Sequence, residues 1–367
     1  MPRIARCAIS AVALLAAAVA QGFAAPAPAT QPDPKIVESW PDPVTRLVRL
    51  GKYDEAVKLG EQSIKQKNAK APDQAQAVAA LAEVYITLAR YSDAKTLLAG
   101  ADKPLAAADH DTALALASVY LAQGDLAYET GDFNNAVTLA SRALDLRKKN
   151  LAADDLLIAD ATEDLTMANL QNENTAGADA QLARVYRIRR DKTGEESLPT
   201  ADAYSALGFY YLNVAMDVRQ ARLAYQKSLD IRVRLLGEKH LDVADSLFGL
   251  AELDNATNHP DDAVKKLEQA RGIIGDTLSK THPYISSLDE ALATHYLEAG
   301  DAKKAATYIT EAADICEKSY GPDHRFYADA IEQQAMICRQ TGETAKAEEL
   351  DKKVDAIRAK QKKKIEL

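Results

Sequence analysis

Between its turns the chain places apolar residues at helical spacing. Val78, Leu81, Ala82 and Tyr85 share one face at i, i+3, i+4 and i+7, and Leu267, Ala270 and Ile274 do the same further on. The turns themselves repeat. The Ala that ends the phrase Gly51-Lys52-Tyr53-Asp54-Glu55-Ala56 is answered by Ala94, Ala136, Ala178, Ala221, Ala263, Ala305 and Ala347, at steps of 38, 42, 42, 43, 42, 42 and 42. Five residues before this anchor stand Gly51, Gly131, Gly300 and Gly342, where a helix stops and the backbone needs a left-handed residue. Twelve before it come Ala82, Gly124, Ala251, Ala293 and Ala335, with Gly208 one place off in the 43-residue unit, so that two helices can approach closely. Each unit therefore predicts a helix, a tight turn, a second helix and a connector. One such pair cannot bury its own apolar face. The units must stack, and the fold class is all-α.

The small residue twelve before the anchor, the Gly five before it, the aromatic Tyr53, Tyr91 or Phe133 three before it, and the anchor itself resemble the tetratricopeptide repeat (TPR). The 42-residue period is similar to the kinesin-light-chain variety. The connectors Leu236-Gly237-Glu238-Lys239-His240, Ser279-Lys280-Thr281-His282-Pro283 and Tyr320-Gly321-Pro322-Asp323-His324 match its G-x-x-H-P type of linker. The resemblance implies a right-handed α-solenoid of about eight helix-turn-helix repeats over residues 37–350, with a basic capping helix and tail over 351–367. Repeats 5 to 8 carry it strongly. Repeat 4 is weak, with Glu173 and Thr166 where Gly and a small residue belong. In repeat 1, Trp40 falls on the family's fourth position, but Pro41 and Pro43 prevent a full first helix, so the chain is expected to start it with Asp42 as cap and Pro43 in the first turn.

Before the repeats, Arg3 and Arg6 precede the apolar run Cys7 to Ala20, which is too short to span a bilayer comfortably. This is the build of a secretory signal over residues 1–24, cleaved after Ala20 or Ala24, followed by an Ala/Pro-rich linker over 25–36. The expected location is outside the cytoplasm, periplasmic or secreted, with no transmembrane segment after cleavage.

Charge narrows the partners. The chain has 54 Asp and Glu against 45 Lys and Arg, for a net charge of -9, and phosphate contacts require the opposite balance, which argues against nucleic acid. Three Cys in 367 residues exclude a disulfide-built scaffold. Cys316 and Cys338 are expected to remain thiols, because the helical register separates them along the axis. His240, His282 and His324 recur at steps of 42, which puts them on successive connectors too far apart for one metal ion. Asp154-Asp155 and Asp261-Asp262 each open a helix, where carboxylates meet the N-terminal dipole. No nucleophile elbow, zinc-protease helix or phosphate loop is present, and the repeats leave no room for a catalytic domain. The chain reads as a non-enzyme without cofactor or metal. Lys360 to Lys364 close the last helix as a polar cap.

The resemblance also names the binding face. In the family, the first helices line a concave groove that binds other proteins. Carrying those positions over gives Glu83, Asp125, Glu129, Asp160, Glu163, Asp164, Asp202, Asp245, Glu252, Glu290, Glu298, Asp329 and Glu332, against Arg339 alone. Asp160, Asp202, Asp245 and Asp329 have an alternative reading as first-turn residues placed for the helix dipole, which leaves Glu83, Asp125, Glu129, Glu163, Asp164, Glu252, Glu290, Glu298 and Glu332 as the partner-binding candidates. Basic residues gather on second helices instead, as in Arg184, Arg187, Arg189 and Arg190. The family's carboxylate-gripping members carry Lys, Arg and Asn in these slots, and the lack of Lys and Arg here argues against that ligand. The function expected is an exported adaptor for a protein or peptide, a basic one favoured. The alternative is a structural or self-assembling spacer of the cell envelope.

Overall fold

The computed structural model describes residues 42–66, 69–103, 105 and 109–365. The signal segment, the linker and Trp40 lie outside them. Among the described residues there are sixteen α-helices and no strand. They pair as hairpins: α1 (Pro43–Arg49) with α2 (Tyr53–Ser63), α3 (Ala71–Thr87) with α4 (Tyr91–Leu98), α5 (His110–Glu129) with α6 (Phe133–Asn150), and α7 (Leu156–Gln171) with α8 (Ala178–Thr193). The other four are α9 (Leu198–Asn213) with α10 (Val218–Leu236), α11 (Leu241–Ala256) with α12 (Pro260–Thr277), α13 (Pro283–Glu298) with α14 (Ala302–Tyr320), and α15 (Arg325–Gln340) with α16 (Thr344–Ile365). The chain forms two compact units that divide inside α11, one ending at Ser246 and the other beginning at Leu247.

All eight anchor alanines are buried, none more than 2% exposed. Seven of them are the fourth residue of a second helix; in the weak fourth repeat α8 begins at Ala178 itself. A left-handed residue precedes the anchor eight times. The residue five before each Ala has positive φ: Gly51, Gly131, Gly300 and Gly342 as expected, and Ala89, Glu173, Met216 and Asn258 at 54 to 60°. These four are the only non-glycine residues with positive φ among those described. The turn therefore persists where Gly is absent. Its cause is the backbone closure that ends a helix, in which the N–H following the left-handed residue returns to a carbonyl five back, as in Lys52 to Leu47, Asn174 to Asn169 and Glu343 to Cys338. The 43-residue unit inserts its extra residue here, so Asp217 reaches back six, to Tyr211.

Within each unit, packing runs from one hairpin to the next. Ala117, Leu121, Ala143, Leu144, Ile158 and Ala161 join α5, α6 and α7, and Ala293, Ala305, Ile309, Ala312 and Ile337 join α13, α14 and α15. The small-residue contact is tightest at Gly208, where an added Cβ would lie 2.7 Å from the Tyr225 ring. Thr166, in the same slot of repeat 4, is buried and donates its hydroxyl to the Thr162 carbonyl.

Local capping follows the sequence. Asp42 accepts from the N–H groups of Val44 and Thr45 and opens the shortened α1, and Asp155 accepts from Leu157 N–H. The periodic histidines have a shared role. In His240, His282 and His324 the ring Nδ1 accepts from the backbone N–H two residues on, at 3.1 to 3.2 Å, and so caps the next first helix. Cys316 and Cys338 are buried free thiols on α14 and α15. The final helix crosses position 350 without a break, so the second helix of repeat 8 and the basic cap are one element.

Candidate functional site

Asp160, Asp202, Asp245 and Asp329 are not first-turn residues. Each is the fifth residue of its helix, because the connector residues Asp155, Ser197, His240 and His324 stand immediately before helices α7, α9, α11 and α15. The dipole explanation fails for them, and ion pairs take its place. Arg189, on α8, is 4% exposed and donates to Asp160 at 2.8 Å and Glu163 at 2.7 Å on α7. Arg358, on α16, donates to Glu332 at 2.7 and 2.8 Å and lies 3.4 Å from Asp329 on α15. Arg232, on α10, is 1% exposed and donates to Asp202 at 2.9 Å, to Asp245 at 2.6 Å, to the Asp242 carbonyl and to Ser246 Oγ.

These arginines share one register. Arg147, Arg189, Arg232 and Arg358 all stand eleven residues after their anchor Ala. Arg147, on α6, is also buried; it donates to the Leu157 carbonyl and has Asp160, Asp164 and Glu83 around it. Second helices thus send an arginine over to the acidic first-helix face. The bases are therefore not all segregated from the acids, as their sequence positions imply: Arg189, Arg232 and Arg358 each meet two carboxylates, while Arg184 and Arg187 donate to backbone carbonyls. Arg339 pairs with Asp351.

Burial decides how much charge the lining carries. The Glu83 carboxyl is pushed up to about 7 by burial, reinforced by Asp42 and Asp164. Burial alone pushes Glu252 up to about 7. Asp245 is raised by burial in spite of Arg232 and Ser205. Asp202 goes the other way: burial would raise it, but Arg49 and Arg232 hold it down at about 2. Asp242 is likewise lowered, with burial outweighed by His240, Arg49 and Arg232.

The structure distributes the candidates unevenly. In the unit ending at Ser246, Glu83 and Asp164 lie within each other's field, and Glu163 shares Arg189 with Asp160. Asp125 is half-buried on α5. Glu129, 6% exposed at the end of α5, is buried and not available as lining. In the other unit Glu252 and Glu290 are half-buried, while Glu298 and Glu332 are exposed. Glu290 also accepts, through its carbonyl, from Gln333 Nε2 at 3.0 Å. Asp242 and Arg49 carried no signal in the groove register. The arginines did, because their spacing keeps the repeat period. Among the described residues no cluster of His, Cys, Asp and Glu could hold a metal ion, and no helix is long and apolar enough to cross a membrane.

Hairpins in tandem, a fixed turn and a close helix-helix contact define a TPR-type helical repeat. The family model described as tetratricopeptide repeat matches residues 193–274 and 284–360. Residues 193–360 thus carry tetratricopeptide repeats, and the hairpins before residue 193 share the anchor and turn of the matched ones. No curated protein matches it. The Rap protein solved in complex with competence and sporulation factor has the same fold, at 12% identity and a TM-score of 0.60 over 89% of this chain and 97% of that one. Two kinesin-light-chain-type structures superpose less well. The TPR-like repeats of a Podosopora anserina protein give 23% identity and a TM-score of 0.46, over 56% of this chain and 96% of theirs. BtubC from P. vanneervenii gives 19% and 0.45, over 64% and 92%.

Proposed function

We propose that the chain is a non-catalytic adaptor, exported from the cytoplasm, whose acidic first-helix faces hold a basic segment of a partner protein. The TPR fold supports protein binding. The observation that carries the charge preference is that one arginine serves two carboxylates in each unit, Arg189 with Asp160 and Glu163 in one and Arg358 with Asp329 and Glu332 in the other. Like charges gathered on one face speed capture of an opposite charge, and salt weakens the effect as the Debye length falls from about 10 Å at 0.1 M to about 3 Å at 1 M.

Calorimetric titration with an arginine-rich dodecapeptide tests this, using wild type and a variant with Asp125→Asn, Asp164→Asn and Glu290→Gln. At 0.05 M salt the variant should bind at least five-fold more weakly, and at 1 M the two should converge. Equal affinity at low salt would show that the acidic face recruits nothing. Export rests on Arg3, Arg6 and the apolar run that follows. The mature N-terminus should lie near Gln21 or Ala25; abundant soluble cytoplasmic protein beginning at Met1 would rule it out.

A further inference from the structure

Repeats that touch mainly their neighbours should show no contact between repeat 1 and repeats 5 and 6, yet such contacts exist. Arg49, the last residue of α1, donates through one guanidinium nitrogen to Asp202 on α9 at 3.0 Å and through another to Asp242 on α11 at 3.2 Å. The partners lie 153 and 193 residues away along the chain. The Arg49 carbonyl accepts from His240 Nε2 at 2.9 Å, and the same ring caps α11 through Nδ1. At the other end of α1, Asp42 lies close enough to Glu83 and Asp164 to act on the Glu83 carboxyl together. The helix therefore crosses the acidic face of this unit, from the lining of repeats 2 and 4 to the start of the first helices of repeats 5 and 6.

Two features separate this contact from ordinary core packing. The element is short, with seven residues and only Val44 and Val48 buried on its apolar side, so its hold on repeats 5 and 6 runs through Arg49. The receiving site is only partly satisfied without it. Arg232 already binds Asp202 and Asp245 from the other side. Asp242 is fully buried, and its Oδ1 has no hydrogen-bond partner among the described residues. Two carboxylates on two helices, each meeting a different nitrogen, match the planar fork of a guanidinium and not the point charge of an ammonium.

We propose that α1 is an intramolecular occupant of the acidic face, that Asp202 and Asp242 form an arginine-specific site with Arg49 as its resident, and that an arginine of the partner enters by displacing it. This rests on the basic-partner reading above and adds the position, the side-chain type and a competition. A partner then binds the chain with α1 in place more weakly than the chain with α1 released.

The test uses the full chain as wild type, Arg49→Gln and Asp202→Asn, with a fluorescein-labelled peptide of residues 42–52 as the probe and the same peptide with Lys in place of Arg49 as its control. Hydrogen exchange of the amides of residues 43–50 reports release of α1, and anisotropy reports probe binding. Arg49→Gln should speed exchange at least ten-fold and tighten probe binding at least ten-fold, with the Lys peptide markedly weaker. Asp202→Asn should release α1 as well but lose the gain in probe binding. If Arg49→Gln fails to fold, Arg49→Lys serves, with the same signs and smaller size. Unchanged exchange in the Arg49 variants would overturn the proposal. Probe binding equal in wild type and Arg49→Gln would overturn the displacement and leave the basic-partner reading standing, whereas binding to neither, together with failure of the dodecapeptide, would remove both.

Discussion

Replacing Arg232 by Met removes a guanidinium that is 1% exposed and makes four hydrogen bonds: to Asp202, to Asp245, to the Asp242 carbonyl and to Ser246. The consequences for the two carboxylates differ. Asp202 keeps Arg49 at 3.0 Å, but Asp245, 6% exposed, keeps only the Ser205 hydroxyl at 3.0 Å. The uncompensated charge is therefore mainly that of Asp245. Breaking a buried pair from one side costs about 3–5 kcal/mol, and the surviving Arg49 contact places this case near about 3. The loss depends on pH with a definite sign. Burial already raises the Asp245 carboxyl, with Arg232 the chief opposing influence. Without Arg232 it rises further, and a group raised in the folded state adds stability at low pH that disappears as pH rises. The cost should thus shrink by at least about 1 kcal/mol between pH 8 and pH 4.5. Adding Asp245→Leu to Arg232→Met should recover part of the loss at pH 8, since an apolar pair leaves no orphaned charge. Urea melts followed by circular dichroism at 222 nm, compared by midpoint at constant slope, give the numbers. A cost under about 1 kcal/mol, or one equal at both pH values, would refute the assignment of a buried ionic junction.

Met216→Gly should stabilise the protein by about 1 kcal/mol, because it relieves a left-handed residue at φ 54° whose side chain is 54% exposed; a lower thermal midpoint would contradict this. Gly208→Ala should destabilise by about 1–3 kcal/mol, since its Cβ would stand 2.7 Å from the Tyr225 ring, and Tyr225→Leu in the same chain should lessen the loss. Glu252→Gln should stabilise by about 1–2 kcal/mol at pH 8.5 and by nearly nothing at pH 4.5. The reason is that burial raises the carboxyl to about 7, so its protonated form favours folding at low pH and that contribution is lost as pH rises through neutrality; thermal melts at the two pH values decide it.

The repeat itself was open to view in the sequence, since one Ala and one turn recur with the period of the hairpin. What the sequence concealed has particular causes. Ala89, Glu173, Met216 and Asn258 adopt the left-handed turn without being Gly, because hydrogen-bond closure at the helix end imposes it, so no residue type marks it there. Asp160, Asp202, Asp245 and Asp329 fall outside the first turns because the capping Asp155, Ser197, His240 and His324 set the register that makes each aspartate fifth in its helix. Arg147, Arg189, Arg232 and Arg358 keep the period, but position alone tells which helix an arginine starts from and not where its long side chain ends. The reach of Arg49 across to Asp202 and Asp242 had no local signature at all, because it depends on the path of the hairpins between them.

Photo-cross-linking locates binding most directly. An arginine-rich dodecapeptide bearing a central diazirine would be irradiated on the full chain at 0.05 M salt, and the attachment sites read by mass spectrometry. The expected labels fall on first helices, around Glu83 on α3, Asp125 on α5, Asp164 on α7 and Glu290 on α13, and fade at 1 M salt. Labels concentrated on the outer faces of second helices, or unchanged by salt, would contradict an acidic first-helix face as the site that holds a basic partner.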